Sequence, residues 1–149
     1  MIDSYASHQE ALIFSALNTT GDILQLGCND YSIIILNEIC KFQNRNLKII
    51  STNKNFLQKF DFIKDRVFIK DWADYDFSGK YGTIKFETEQ HIEDKIEMLP
   101  KLLLISNSVV VHNAGRLCMK KNWKEYTENK RIIWFRNYNP YTAIIQNET

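Results

Sequence analysis

Cysteine is scarce in this chain, and its spacing carries no metal or redox pattern. Cys28, Cys40 and Cys118 make an odd number in 149 residues, with no C-x-x-C pair and no histidine at zinc spacing. Free thiols are the expectation, and with them a reducing compartment, the cytoplasm, and no metal. Charge of one sign is lacking too. Lys and Arg total 19 against 18 Asp and Glu, a formal net charge of +1, so no global field draws the chain to nucleic acid or to an anionic membrane. No apolar run approaches the roughly 20 residues that cross a bilayer. The opening MIDSYASHQEA lacks the basic-then-apolar order of a secretory leader. No repeat, low-complexity tract or linker interrupts residues 1–149, so a single domain is expected.

What is present is the composition of a folded protein, 44% hydrophobic and 25% charged. The chain is organised around GDILQLGCNDYSIIILNEICK, Gly21 to Lys41. Ile23-Leu24-Gln25-Leu26 is a short continuous apolar run, the pattern of a strand buried on both faces, and Gly27 ends it in a polar turn. A helix is expected from about Ser32, capped by Asp30 or Ser32. Such a turn points backbone N–H groups and a helix N-terminus at a ligand on the carboxyl edge of a sheet.

The flanking text alternates in the same way. Ser7-His8-Gln9-Glu10 has capping-box spacing, and Leu12 with Ala16 and Ile13 with Leu17 fall four apart on a helix that ends near Asn18. The helix 32–42 is apolar on most of its circumference, which predicts cover on more than one side. Strands are expected at 47–52, 66–70, 83–86 and 109–111, with a short helix from Asn53 between the first two. Ile92, Ile96, Leu99 and Leu103 mark a helix that Pro100 should kink or split. A polar segment 120–130 holds a short helix with Trp123 and Tyr126. Strands at 131–135 and 142–146 follow, and the six residues between them predict an antiparallel pair at the sheet edge.

This order resembles the class I S-adenosylmethionine-dependent methyltransferases, and the local text is similar to a group of small methyltransferase-like proteins. The resemblance rests on ILQLGCNDYSIIILNEICKFQNRNLKIIS, VFIKDWADYDFSGKYG, SVVVHNAG and the Arg-Asn-Tyr-Asn-Pro-Tyr-Thr tail, and it covers roughly Ser7 to Asn147. It implies an α/β fold, a Rossmann-like three-layer α/β/α sandwich with a mostly parallel sheet of about seven strands and a C-terminal antiparallel hairpin. It also implies a cofactor, S-adenosylmethionine or S-adenosylhomocysteine. By resemblance, Gly27 matches the first glycine of the nucleotide-binding turn, with Cys28 beside it. Asp71 with Trp72 matches the segment that contacts adenine. Asn29 stands at a second glycine position, and Gln25 where many relatives carry an acid. Asn53 stands at the carboxylate that holds both ribose hydroxyls. Glu87 and Thr88 fall on an Asp-His pair, and His112 with Asn113 on a His-Asp pair.

The departures have a magnitude. An Asn accepts through one oxygen and without charge, so Asn53 in place of a carboxylate weakens cofactor binding by about 1–3 kcal/mol, or about five- to a hundred-fold. Asn29 tolerates left-handed backbone angles, which offsets part of the missing glycine.

Several residues carry two readings. His112, at a strand's carboxyl end, is the leading candidate for a general base, followed by Glu87 and His8; alternatively His112 bonds within its loop, Glu87 is an exposed carboxylate and His8 is plain surface. Asp71 accepts from the adenine amino group or caps a turn. Cys28 has no neighbouring base to activate it and reads as a packing residue. The basic, aromatic stretch Lys120 to Tyr141 has the composition of a single-strand nucleic-acid site, but Ile132, Ile133, Trp134 and Phe135 read better as core. The functional expectation is methyl transfer to an acceptor the sequence does not name. The alternative is a non-catalytic binding or scaffolding subunit with a decayed cofactor site and a protein partner, favoured by Gln25, Asn53 and the Glu87–Thr88 pair.

Overall fold

The structure, a computed structural model, describes residues 8–27, 30–51, 67–69, 78–86, 92–137 and 140–147. Among the described residues twelve elements follow in order: α1 Gln9–Leu17, β1 Ile23–Leu26, α2 Asp30–Gln43, β2 Leu47–Ser51, β3 Val67–Ile69 and β4 Tyr81–Phe86. After these come α3 Ile92–Leu104, β5 Ser106–His112, α4 Ala114–Leu117, α5 Trp123–Tyr126, β6 Lys130–Phe135 and β7 Thr142–Asn147. The helix expected from Asn53 lies outside the described residues.

The seven strands form one sheet in the order β3-β2-β1-β4-β5-β7-β6. β1 pairs in parallel with β2 and β4, so this strand stands inside the sheet. β7 runs antiparallel to both β5 and β6 and lies between them, which leaves β6 at the margin. The C-terminal hairpin is therefore at the edge, as its short connection requires.

Alternation along the strands builds two cores. Leu24, Leu26, Ile84, Phe86, Val109 and Val111 face one side and meet Ile96, Leu99, Leu102 and Leu103 of α3, with Leu117 and Trp123. Ile23, Ile49, Val110 and Ile144 face the other and meet Ala11, Leu12 and Ala16 of α1 and Ile33, Leu36 and Cys40 of α2. The result is a three-layer α/β/α sandwich. Each Leu or Ile so buried contributes about 1.5–3 kcal/mol.

Four local expectations change. The N-cap of α1 is His8, and it makes no side-chain cap hydrogen bond; Ser7 lies outside the described residues. Helix α2 begins at Asp30, two residues early, so Ser32 sits in its first turn instead of capping it. The same helix is covered on one side only: Ile33, Leu36 and Cys40 are buried, while Ile34 and Phe42 are exposed. Helix α3 runs through Pro100 without splitting. A mid-helix proline costs about 3 kcal/mol, and the burial of Leu99, Leu102 and Leu103 around it outweighs that.

Helix α1 is docked by hydroxyls as well as by apolar contact. Ser15 Oγ lies 3.0 Å from Thr83 Oγ1 and 2.8 Å from Ser108 Oγ, joining α1 to β4 and β5. Leu12 and Ala16 are buried as their spacing implies, but Ile13 and Leu17 point outward. Phe14 packs edge-on against Phe135 of β6, with ring centroids 6.0 Å apart.

Candidate functional site

The carboxyl edge of the sheet, on the face covered by α1 and α2, carries the polar residues of interest. β1 ends at Gly27, whose φ of 88° lies in the region glycine alone enters freely. Its N–H donates to Ile50 O of β2 at 2.8 Å, which pins the turn to the neighbouring strand. Gln25, two residues earlier, is fully buried. Its Nε2 donates to Ser32 Oγ at 2.7 Å and so ties the central strand to the first turn of α2. Gln25 Oε1 has no hydrogen-bond partner among the described residues.

On the adjacent strand, Lys85 is the register partner of Gln25 and is 0% exposed. It lies on the same face as Thr83, which bonds to α1. A wholly buried lysine mid-strand is unusual, because its charge loses hydration there. Nothing in the text YGTIKFE separates Lys85 from a lysine pointing at solvent in an alternating strand.

His112 closes β5 and is buried, at 8% exposure. Asn113, which follows, takes a left-handed conformation at φ 59°, and Ala114 N–H donates to Tyr141 O at 2.9 Å, so the strand exit is held. The ring of His8, at the start of α1, stands edge-on to the ring of His112 with centroids 4.9 Å apart and planes at 81°. His8 is 0% exposed, which overturns the plain-surface reading: the start of α1 is folded against the end of β5. Thr142 of β7 is the register partner of His112, is buried, and its Oγ1 has no hydrogen-bond partner among the described residues.

The structure thus brings Gln25, Gly27 and His112 to one edge and adds Lys85, His8 and Thr142. Glu87, Cys28, Asn29, Asn53, Asp71 and Trp72 lie outside the described residues. Lys85 and Thr142 carried no sequence signal, since both sit in strands whose alternation reads as ordinary. Among the described residues, no three His, Cys, Asp or Glu side chains converge as metal ligands. Neither Cys40 nor Cys118 is in a disulfide. No described helix is long and apolar enough to cross a membrane.

Other polar features lie elsewhere. Two clefts of about 620 and 330 Å³ open at the opposite, amino-terminal edge, the first lined by Asn18, Thr19 and Asn107 and the second by Gly21, Lys80 and Gly82. Open α/β sheets bind their ligands beyond the carboxyl ends of the strands, and these clefts lie at the other edge. In β6, Ile132 and Trp134 pack against one core and Ile133 and Phe135 against the other, all half-buried. Arg136 lies over the Trp134 ring at 4.7 Å. Trp134 and Phe135 of β6 therefore contribute to packing.

No protein-family model matches the chain, and no curated protein is detectably similar to it. Solved structures do match. One is described as a caffeoyl-CoA O-methyltransferase of Staphylococcus aureus, with a TM-score of 0.64 at 14% identity over 99% of this chain and 85% of that one. The plantazolicin methyltransferase BpumL, in complex with SAH, matches at 0.58 and 12% identity over 97% of this chain and 85% of that one. A 16S rRNA methyltransferase of T. thermophilus, in complex with AdoMet and guanosine, matches at 0.56 and 11% identity over 96% of this chain and 40% of that one. The fold is that of these methyltransferases. At such identities the likeness concerns the backbone arrangement alone.

Proposed function

We propose that the protein binds S-adenosylmethionine or S-adenosylhomocysteine at the corner where β1 turns into α2, and transfers a methyl group to an acceptor. The observation that carries this reading is Gly27: it leaves the central strand at positive φ, is bonded back to β2, and stands three positions before the start of α2. That arrangement lets backbone approach a ligand closely at a helix N-terminus. The residues present fit such a ligand, because Gln25 Oε1 is a buried acceptor with no partner among the described residues beside the turn. Gln25, Gly27, Cys28, Asn29, Asn53, Asp71 and Trp72 are assigned to the cofactor, with Asn53 at the ribose and Asp71 at the adenine.

The cofactor, when bound, supplies an activated methyl group, and the protein's part is positioning and proton handling. His112 is assigned as the base that takes the acceptor's proton, with Glu87 as second candidate. The buried position of His112 keeps bulk water from its ring.

A second reading has its own support. Gln25 stands where relatives carry an acid, and its neutral amide, already donating to Ser32, offers a positively charged ligand no opposite charge there. On that reading the protein is a non-catalytic subunit. Calorimetry with both ligands separates the two. Micromolar binding that is lost in Asp71→Ala supports the enzyme, and no heat at millimolar ligand from a folded protein removes it.

A further inference from the structure

We propose that His8 is a positioning residue for His112, fixing the plane and tautomer of its imidazole. The proposal rests on the reading of His112 as the proton acceptor. Three observations point to it.

His8 occupies the position before α1, where Ser, Thr, Asp or Asn normally accepts from the helix's first N–H groups. It makes no such bond. Its side chain is turned inward and is 0% exposed. The helix start is therefore not what His8 serves.

Its ring meets His112 edge-to-face, at 4.9 Å and 81°. The last torsion of a histidine side chain is broad and roughly two-fold, so an imidazole at a strand end swaps each nitrogen with a ring carbon, and with it the partners each nitrogen meets, unless walls prevent it. His8 is one wall. Thr142, the register partner of His112 on β7, is buried beside it. A base must present an unprotonated nitrogen in one direction, and which nitrogen that is depends on what surrounds the ring. Of the other titratable side chains described, buried Lys85 shares this face of the sheet, and exposed Glu10 bonds Asn137 at 3.4 Å.

Nitrogen-detected NMR of histidine-labelled protein tests this without any ligand. The chain has three histidines, His8, His91 and His112, and single substitutions assign their signals. Wild type should show His112 as one sharp tautomer, and His8→Phe, which keeps a flat ring, should preserve it. His8→Leu removes the ring and should move the two His112 nitrogen shifts toward each other, with the amide spectrum of the sheet unchanged. Unchanged His112 signals in folded His8→Leu overturn the proposal. If His8→Leu does not fold, a tautomer-averaged His112 in wild type, or in folded His8→Phe, overturns it equally. Failure of S-adenosylhomocysteine to bind wild type removes the cofactor reading and leaves this ring measurement standing, so the two failures are distinguishable.

Discussion

Gln25 and Ser32 are joined across the turn that follows the central strand, the amide of one donating to the hydroxyl of the other at 2.7 Å with both side chains buried. Seven residues of sequence separate them, and the turn between them is the proposed ligand corner. Ser32→Ala leaves the Gln25 amide without this acceptor in a buried place, which costs about 1–3 kcal/mol. Urea denaturation should show a lower midpoint at unchanged slope, and an unaltered midpoint contradicts the assignment.

Asn53→Asp supplies a charged acceptor at the position proposed to hold the ribose. Binding of S-adenosylhomocysteine should tighten by about five-fold or more, within the range set by exchanging a neutral for a charged acceptor. Calorimetry on both proteins decides it; equal affinities would sink the ribose role of this position.

Gly82 has no room for a side chain. A Cβ there would lie 2.1 Å from Thr20 O and 3.0 Å from Arg45 Nη2, and its own N–H is already held by Asp22 O at 2.8 Å. Gly82→Ala must push the backbone of the 18–22 loop, so a loss of about 2 kcal/mol or more is expected in the same denaturation assay.

Arg45 ties three elements together at the amino-terminal edge. Its Nη1 donates to Ala16 O at 2.6 Å and to Gln43 Oε1 at 2.9 Å, its Nη2 to Thr19 Oγ1 at 3.2 Å, and its Nε to Gly21 O. Burial lowers its pKa, and Cys40 and Asp22 oppose that shift. The planar fork is what reaches all of these acceptors, so Lys is no substitute. Arg45→Lys should lose about 1.5–3 kcal/mol, close to the loss in Arg45→Ala; a lysine variant as stable as wild type would refute the clamp.

The phenol of Tyr126 donates to Glu97 Oε2 at 2.8 Å, and this bond, with burial and the charge of Glu97, raises its pKa above the ordinary tyrosine value. A raised native pKa stabilises the fold below the unfolded tyrosine's range, and that contribution is lost as pH climbs through the native value. Ultraviolet titration should place Tyr126 above a free tyrosine, and Glu97→Gln should bring it down. No movement in Glu97→Gln means the bond is absent in solution.

The central unit was legible because its physics is local. A four-residue run with three apolar side chains needs cover on both faces, and glycine at its end supplies the positive φ that the turn requires. The sheet edge was legible for the same reason, a connection too short for a crossover. The interior polar residues were not. His8 and Lys85 are buried by what folds over them from distant parts of the chain, and Ser15 finds Thr83 and Ser108 across 68 and 93 residues. Helical and strand periodicity reports which face a residue occupies and not whether a polar partner waits there. Pro100 shows the converse, a local breaker overridden by the apolar contacts of the helix around it.

The most direct measurement is an amide NMR titration of the labelled protein with S-adenosylhomocysteine. The account predicts saturable shifts centred on the Gly27 amide, the Gln25 side-chain amide and the first turn of α2, with His112 affected at the neighbouring edge. Shifts centred instead on Thr19, Gly82 and Asn107 at the opposite edge, or none at millimolar ligand, would contradict it.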